Sequence, residues 1–151
     1  MEVRVYEGPD GELTLNPSLD IVGAFLDNGQ DYWEGGSGSA YIGWVKLNNP
    51  GYSNHWERSS LHIIVHQPYG IHLCYQIMSY QPHTSSVKLM VYSEEAQEDI
   101  LVKHYLGGEP EYYPRRSFVT QETAVRVIGD FLQTEKPSSS VVWRPQAAIN
   151  Q

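Results

Sequence analysis

The feature that most constrains the fold is a run of alternating apolar residues, "LHIIVHQPYGIHLCYQIM", over positions 61–78. Leu61, Ile63 and Val65 share one face of a strand, because successive strand side chains point to opposite sides. Pro68 suits the second position of a turn that Gly70 closes. A second set then shares one face of the return strand: Ile71, Leu73, Tyr75 and Ile77. The pattern predicts a β-hairpin.

Other short segments also have strand character. They are "VRVYEG" and "LTL" near the start, Tyr41–Leu47, "SVKLMVYS", the beginning of "ILVKHYLGGEP" before it breaks at Gly107 and Gly108, and "SVVW" near the end. The central strands follow one another without intervening helices, so the sheet is expected to be mainly antiparallel.

A first helix is predicted over "NPSLDIVGAFLDNG". Asn16 is its expected N-cap, and Pro17 fits the first helical position, where a missing N–H costs nothing. Asn28 and Gly29 are expected to end it in a left-handed cap. Its apolar stripe contains Ile21, Val22, Phe25 and Leu26.

A second helix is predicted after Thr120, its expected N-cap. Pro137 is expected to stop it, because proline disfavours helical geometry at the preceding Lys136. Its apolar face contains Ala124, Val127, Ile128, Phe131 and Leu132. The predicted fold class is therefore α+β: a single, mainly antiparallel sheet of five to seven strands with two helices packed on one face. We expect one domain over residues 1–145 and a loose tail over 146–151.

Composition narrows the possible partners. The chain has 151 residues, a net charge of −8 and a single cysteine. It has no apolar run of the ~20 residues that a membrane-spanning helix needs, and no signal-peptide core, so we expect a soluble, cytoplasmic protein. The negative charge opposes binding to nucleic acid or an anionic membrane and favours a basic partner, although many soluble proteins are equally acidic.

Candidate chemical groups do not combine into an active site. His62 and His66 lie four residues apart in a strand, roughly 13 Å, too far to share one ion. His72 can face them across the hairpin, but no acid or cysteine is seen to complete a set. Cys74 has the pattern of a sheet residue rather than a nucleophile. The glycine-rich stretch "EGGSGSAYIG" precedes a strand rather than a helix, so we expect a flexible loop and not a phosphate site. We expect no catalytic residue, no metal and no cofactor.

Two groups of acidic residues flank one predicted strand, and two tyrosines adjoin the second group. Together they predict a surface for a basic protein partner, although a solvated sheet edge explains them as well. The predicted partner-binding residues are Glu94, Glu95, Glu98, Asp99, Glu109, Glu111, Tyr112 and Tyr113.

The segment "YLGGEPEYYPRRSFVTQETAVRVIGDFLQTEKPSSSVVW" resembles the immunity-protein family one of bacterial polymorphic-toxin systems. It is also similar to the immunity partner of a cytosine deaminase toxin. The matching residues are Gly107, Gly108, Thr120, Ala124, Phe131, Pro137 and Trp143. The resemblance covers about the last third of the chain.

The resemblance implies a protein that is not an enzyme and that neutralises a toxin by one-to-one binding over its active site. The implied toxin is a nucleic-acid-directed enzyme, deaminases included. Two alternatives stay open. In the first alternative, the chain is a small-molecule-binding or scaffold domain, which predicts a deep apolar pocket. In the second, it is an enzyme with a dispersed site, which predicts that His62, His66, His72 or Cys74 cluster in a cleft.

Overall fold

One large antiparallel sheet forms the centre of the computed structural model, which describes residues 2–46, 57–79, 84–93 and 100–146. The strands are β1 (Glu2–Glu7), β2 (Leu13–Leu15), β3 (Ala40–Lys46), β4 (Glu57–His66), β5 (Gly70–Ser79), β6 (Thr84–Tyr92), β7 (Leu101–Leu106), β8 (Glu109–Pro114), β9 (Phe118–Val119) and β10 (Val142–Pro145). The α-helices are α1 (Leu19–Leu26), α2 (Gln30–Glu34) and α3 (Gln121–Thr134), and Arg115–Ser117 form one turn of 3-10 helix.

The strand order of the main sheet is β10-β6-β5-β4-β3-β1-β2, and β9 pairs with β5 as its eighth strand. Strands β7 and β8 form a separate hairpin. All these pairs are antiparallel. The α+β class and the mainly antiparallel sheet are therefore confirmed. The expected five to seven strands and two helices were too few, because the described residues contain more strands and a third helix.

The predicted central hairpin is confirmed. Strands β4 and β5 pair over ten positions, from Glu57 opposite Ser79 to His66 opposite Gly70. The predicted apolar face is also confirmed, since Leu61, Ile63 and Leu73 are at most 1 % exposed. This face forms the main hydrophobic core together with residues of all three α-helices.

Helix α3 packs its predicted face into that core. Ala124, Val127, Ile128, Phe131 and Leu132 are all buried. Thr120 is the N-cap, and its side chain accepts a hydrogen bond from the backbone N–H of Thr123 at 3.3 Å, as expected. The helix ends at Thr134 because Glu135 takes a left-handed conformation with φ of 61°. The end therefore lies before Pro137, which was expected to cause it.

The start and the end of α1 differ from the prediction. Ser18, not Asn16, is the N-cap, because its hydroxyl accepts the backbone N–H of Ile21 at 3.2 Å. Asn16 lies outside the helix with a φ of 48°. Gly29 has a φ of −72° and caps α2 instead of ending α1 in a left-handed turn.

The segment expected to be a flexible glycine–serine loop runs from the last residue of helix α2 into β3 and is a packed connection. Trp33 of α2 is fully buried in the main core. Ser37 donates its backbone N–H to the carbonyl of Pro9 at 2.8 Å and accepts the N–H of Gly107 at 2.9 Å. A Cβ at Gly38, whose φ is +88°, would collide with the carbonyl oxygen of Tyr105. The loop is therefore anchored on both sides, and glycine permits its close approach to β7.

The β7–β8 hairpin covers the second face of the central strands, which the sequence did not predict to be covered. The expected break at Gly107 and Gly108 is instead the hairpin turn, with φ values of 57° and 86° that suit a type I′ turn. Ile64 of β4 packs in a second core with three residues that follow it in the chain: Val102, Tyr113 and Phe118.

The end of the chain is only partly described. Trp143 lies on β10, is half-buried against the main core, and donates its indole N–H to the carbonyl of Ser138 at 2.8 Å. Of the predicted tail, Gln146 accepts a hydrogen bond from the thiol of Cys74 at 3.5 Å. Residues 147–151 lie outside the described residues. No helix in the described part of the chain is both long and apolar enough to cross a membrane.

Replacing Phe131 with alanine tests the main core. Phe131 is 2 % exposed and its ring centroid lies 6.2 Å from that of Tyr75. We expect Phe131→Ala to lower the free energy of unfolding by about 3–5 kcal/mol, because it leaves a cavity between α3 and the sheet. Gln133→Ala, an exposed position on the same helix, is the control and should change it by less than about 0.5 kcal/mol. Equal denaturant midpoints for the two variants would show that α3 does not pack as described.

Candidate functional site

Four of the eight predicted partner-binding residues lie in the described part of the chain. Glu94, Glu95, Glu98 and Asp99 lie outside the described residues. Glu109, Glu111 and Tyr112 lie on β8 and are exposed, Tyr112 to 50 %. These three residues have the accessibility that the prediction requires.

Tyr113 does not share that exposure. It is 7 % exposed and packs in the second core, with its ring centroid 4.6 Å from that of His72. Burial raises its pKa to about 12. Its inclusion in an exposed surface was therefore wrong, because alternation along β8 turns Tyr112 outward and Tyr113 toward the sheet.

The outward side of the β7–β8 hairpin combines aromatic and aliphatic surface, and we call it the hairpin face. Lys103 pairs with Tyr112 and Tyr105 with Pro110, so these four side chains point to the same side. Leu101 joins them at 62 % exposure, and Tyr105 is 38 % exposed. The ammonium of Lys103 lies 5.3 Å from the centre of the Tyr105 ring. Tyr112 was predicted from the sequence, whereas the residues of β7 beside it were not.

The histidines and the cysteine of the central hairpin share one sheet face but have different partners. The ring of His62 contacts that of Tyr41, with centroids 5.5 Å apart, and burial lowers its pKa to about 4. Burial raises the pKa of the Cys74 thiol to about 11, which opposes a role as a thiolate nucleophile. His62 and Cys74 lie opposite each other on β4 and β5, but among the described residues no group of three potential ligands includes Cys74.

His72 is held as a neutral imidazole in the second core. Its Nδ1 lies 2.9 Å from the hydroxyl oxygen of Ser117, and that hydroxyl donates to the carbonyl of Pro114 at 2.7 Å. Ser117 therefore accepts from His72, and Nδ1 carries the imidazole proton. Burial lowers the pKa of His72 to about 3.

His66 has partners that the sequence analysis did not find. Its Nδ1 lies 2.9 Å from Nδ1 of His104 on β7, and the carboxylate of Glu34 on α2 lies 3.8 Å from the same His104 nitrogen. One ligand atom from each residue falls within 4.8 Å of the other two. We call these three residues the Glu34–His66–His104 cluster. The sequence led us to expect that no acid lies with the histidines as a potential metal ligand. For His66 this expectation was wrong, because Glu34 lies beside it.

Hydrogen bonds fix the orientation of each member of the cluster. His104 is fully buried, and its Nε2 lies 2.7 Å from the carbonyl oxygen of Gly38. A carbonyl only accepts, so the proton of neutral His104 is on Nε2 and its Nδ1 lone pair points into the cluster. Glu34 accepts from the side-chain amide of Gln30 at 2.8 Å and from the backbone N–H of Tyr105 at 2.9 Å.

The cluster favours a charged Glu34 beside a neutral His66. Desolvation alone would raise the pKa of Glu34, but the hydrogen bonds from Tyr105 and Gln30 and the nearby imidazoles outweigh it and lower that pKa. The pKa of His66 is lowered, mainly by desolvation and then by His104, and Glu34 only partly opposes this. The cluster therefore presents a carboxylate oxygen and two imidazole nitrogens to one small volume.

Sequence reasoning missed the cluster because its members are distant in the chain. Glu34 lies at the end of a helix of only five residues, which gives little periodic signal. His104 lies on a strand whose partner follows a Gly-Gly pair. Gly-Gly between two strand-like runs is a hairpin signal, and using it would have placed His104 on the inward side of that hairpin.

No protein-family model matches the sequence, and no curated protein matches it significantly. The function is therefore inferred from the residues of this chain.

The buried state of His72 predicts an acid-dependent loss of stability. An unfolded histidine titrates near 6.5, whereas folded His72 titrates near 3, so the unfolded state binds more protons between these values. The stability that neutral His72 contributes is fully present above pH 6.5. As the pH falls toward 3, this contribution to the free energy of unfolding is lost by up to about 1.4 kcal/mol per pH unit.

Urea unfolding of the wild type and His72→Gln at pH 7, 6, 5 and 4 measures this slope. Glutamine retains a donor for Ser117 but does not titrate. We expect the free energy of unfolding to fall less steeply with acid in the variant than in the wild type. Parallel slopes would contradict the burial of His72 as a neutral ring.

Proposed function

We propose that the protein is an immunity protein that binds a basic cognate toxin and blocks its active site. The observation that carries this proposal is the hairpin face, with its exposed tyrosines and leucine, on a strand pair that also carries two exposed acids. The toxin class is a nucleic-acid-directed enzyme, as the resemblance of residues 105–143 implies. The proposed site of action is the cytoplasm.

The hairpin face has the composition of a protein-binding surface. Tyr105 and Tyr112 each offer a broad ring with a polar tip, and tyrosine is enriched where proteins contact each other. Leu101 adds an aliphatic surface that is 62 % exposed, and Ile100 beside it is 44 % exposed. Burial of these side chains by a partner supplies the apolar part of the binding energy.

The hairpin face rests on a packed support. Val102 and Tyr113, on the inward side of the same strands, are buried against Ile64 and Phe118. The outward side chains are therefore presented by strands fixed to the main sheet. A preformed surface of this kind loses less conformational entropy on binding than a mobile loop does.

Charge supports a basic partner. Glu109 and Glu111 are exposed on β8, and the whole chain carries a net charge of −8. An enzyme that acts on nucleic acid needs a positive substrate groove, since its substrate is a polyanion. By the alternation that separates Tyr112 from Tyr113, these two acids project to the other side of β8 from the hairpin face, but both are exposed. Their charge acts over a longer range than contact, so it can still attract such a groove and speed association.

Co-purification tests the proposal. The tagged protein is co-expressed with the protein encoded by the adjacent reading frame, and the complex is isolated and analysed by light scattering. We expect a one-to-one complex and loss of the toxin's activity in it. A toxin that stays fully active with this protein bound, or that does not bind at all, contradicts the proposal.

Charge reversal tests the surface. We expect Glu109→Lys combined with Glu111→Lys to slow association with the toxin by about tenfold or more, because it removes electrostatic steering. The effect should shrink as salt is added, since exposed charges are screened beyond ~8 Å at physiological ionic strength. Surface-plasmon resonance at low and physiological salt measures both.

The matched control reverses two exposed acids on the helical side of the sheet, Asp20→Lys and Glu122→Lys. This variant has the same net charge as the first but leaves β8 unchanged. Thermal melts establish that both variants fold. If both variants slow association equally, the effect is due to total charge, and the interface lies away from β8.

A further inference from the structure

We propose that Glu34, His66 and His104 form a binding site for one divalent transition-metal ion, with Zn²⁺ the best fit. This reverses the expectation of no metal that the sequence produced. It is independent of the proposed toxin, since it concerns groups beneath the hairpin face rather than on it.

The spacing of the donor atoms suits a zinc ion. Tetrahedral zinc with bonds of about 2.0–2.1 Å to nitrogen and oxygen holds its donor atoms roughly 3.4 Å apart. The two Nδ1 atoms of His66 and His104 are 2.9 Å apart, and the carboxylate oxygen of Glu34 lies 3.8 Å from Nδ1 of His104. These two distances lie on either side of the required value, and all three ligand atoms lie within 4.8 Å of one another, so side-chain shifts of about 1 Å bring them to tetrahedral spacing.

The protons of the cluster also favour a cation. His104 has its proton on Nε2, toward Gly38, so its Nδ1 offers a lone pair to His66. Nδ1 of His66 lies 2.9 Å from that lone pair, so without an ion a proton on His66 Nδ1 joins the two rings. A metal ion would take the place of this proton, which is released to solvent, and would be bound by both nitrogens beside the Glu34 carboxylate.

The outer contacts are those of a metal site. Ligating histidines commonly donate their second ring N–H to a carbonyl or carboxylate, which fixes the tautomer. His104 does so to Gly38 at 2.7 Å. Glu34 is itself held by Gln30 and by the backbone N–H of Tyr105. Each of these bonds leaves the donor atom that faces the cluster available to the ion.

The donor set selects the class of ion. Two imidazole nitrogens and one carboxylate oxygen suit zinc and its neighbours, whereas magnesium and calcium prefer oxygen ligands alone. Three protein donors leave a fourth position for water or for a group from a partner. Because Glu34 and His66 are only partly buried, that position has access to solvent.

The ion would connect three elements that are distant from one another in the chain. Glu34 lies on α2, His66 on β4 and His104 on β7. His104 lies between Lys103 and Tyr105, whose side chains form part of the hairpin face. Zinc at this position therefore crosslinks the inward side of the hairpin to the main sheet.

Calorimetric titration of chelator-treated protein with ZnCl₂ tests the site. We expect one equivalent to bind and to raise the melting temperature, because the ion binds the folded state. His66→Gln and Glu34→Gln should each weaken zinc binding by about tenfold or more. His62→Gln is the matched control, a histidine on the same strand and face, and should bind as the wild type does. Melts without zinc verify that each variant folds.

Nuclear magnetic resonance of ¹⁵N-labelled histidines gives a second readout without substitution. Zinc should shift Nδ1 of His66 and His104 to values of coordinated imidazole while Nε2 of His104 keeps its proton. Unchanged ring resonances mean that the two rings share a proton and no ion, which overturns the proposal. The absence of saturable binding, or affinity that survives either ligand substitution, overturns it as well.

Discussion

The register of β4 and β5 is the constraint on which the rest of the structure depends. The two strands pair over ten positions, and within this register alternate side chains enter the core with the helices and the core with the β7–β8 hairpin. Leu61 and Ile63 lie in the first core, while Ile64 lies in the second. A slip by one residue would exchange the two sets, so both cores fix the same register.

The second core positions the β7–β8 hairpin, which carries both proposed sites. The β7–β8 hairpin is separate from the main sheet and is held by packing, by the turn at Gly107 against Ser37, and by His104 against Gly38. The same packing that buries Val102 on one side leaves the hairpin face exposed on the other. A partner surface and a metal site are thus proposed on opposite sides of one two-stranded element, and an ion in the cluster would stiffen the surface above it.

Strong local periodicity explains which elements could be predicted. The apolar stripe of α3, its cap at Thr120 and the alternation of β4 and β5 are local patterns, and all three are confirmed. Helix α2 was missed because five residues contain barely one turn and adjoin glycines. The caps of α1 were misplaced because Ser18 and Asn16 are both good capping residues, and only the path of the chain selects between them.

The sequence by itself determined the α+β class, the central antiparallel strands and an acidic, tyrosine-rich composition, because these depend on residue content and on neighbours within a few positions. Only the tertiary structure decided that Tyr113 is buried while Tyr112 is exposed, and that His66 meets Glu34 and His104. Those contacts join residues more than thirty positions apart along the chain. Their geometry depends on how the hairpin and α2 pack against the sheet, and no local pattern in the sequence encodes it.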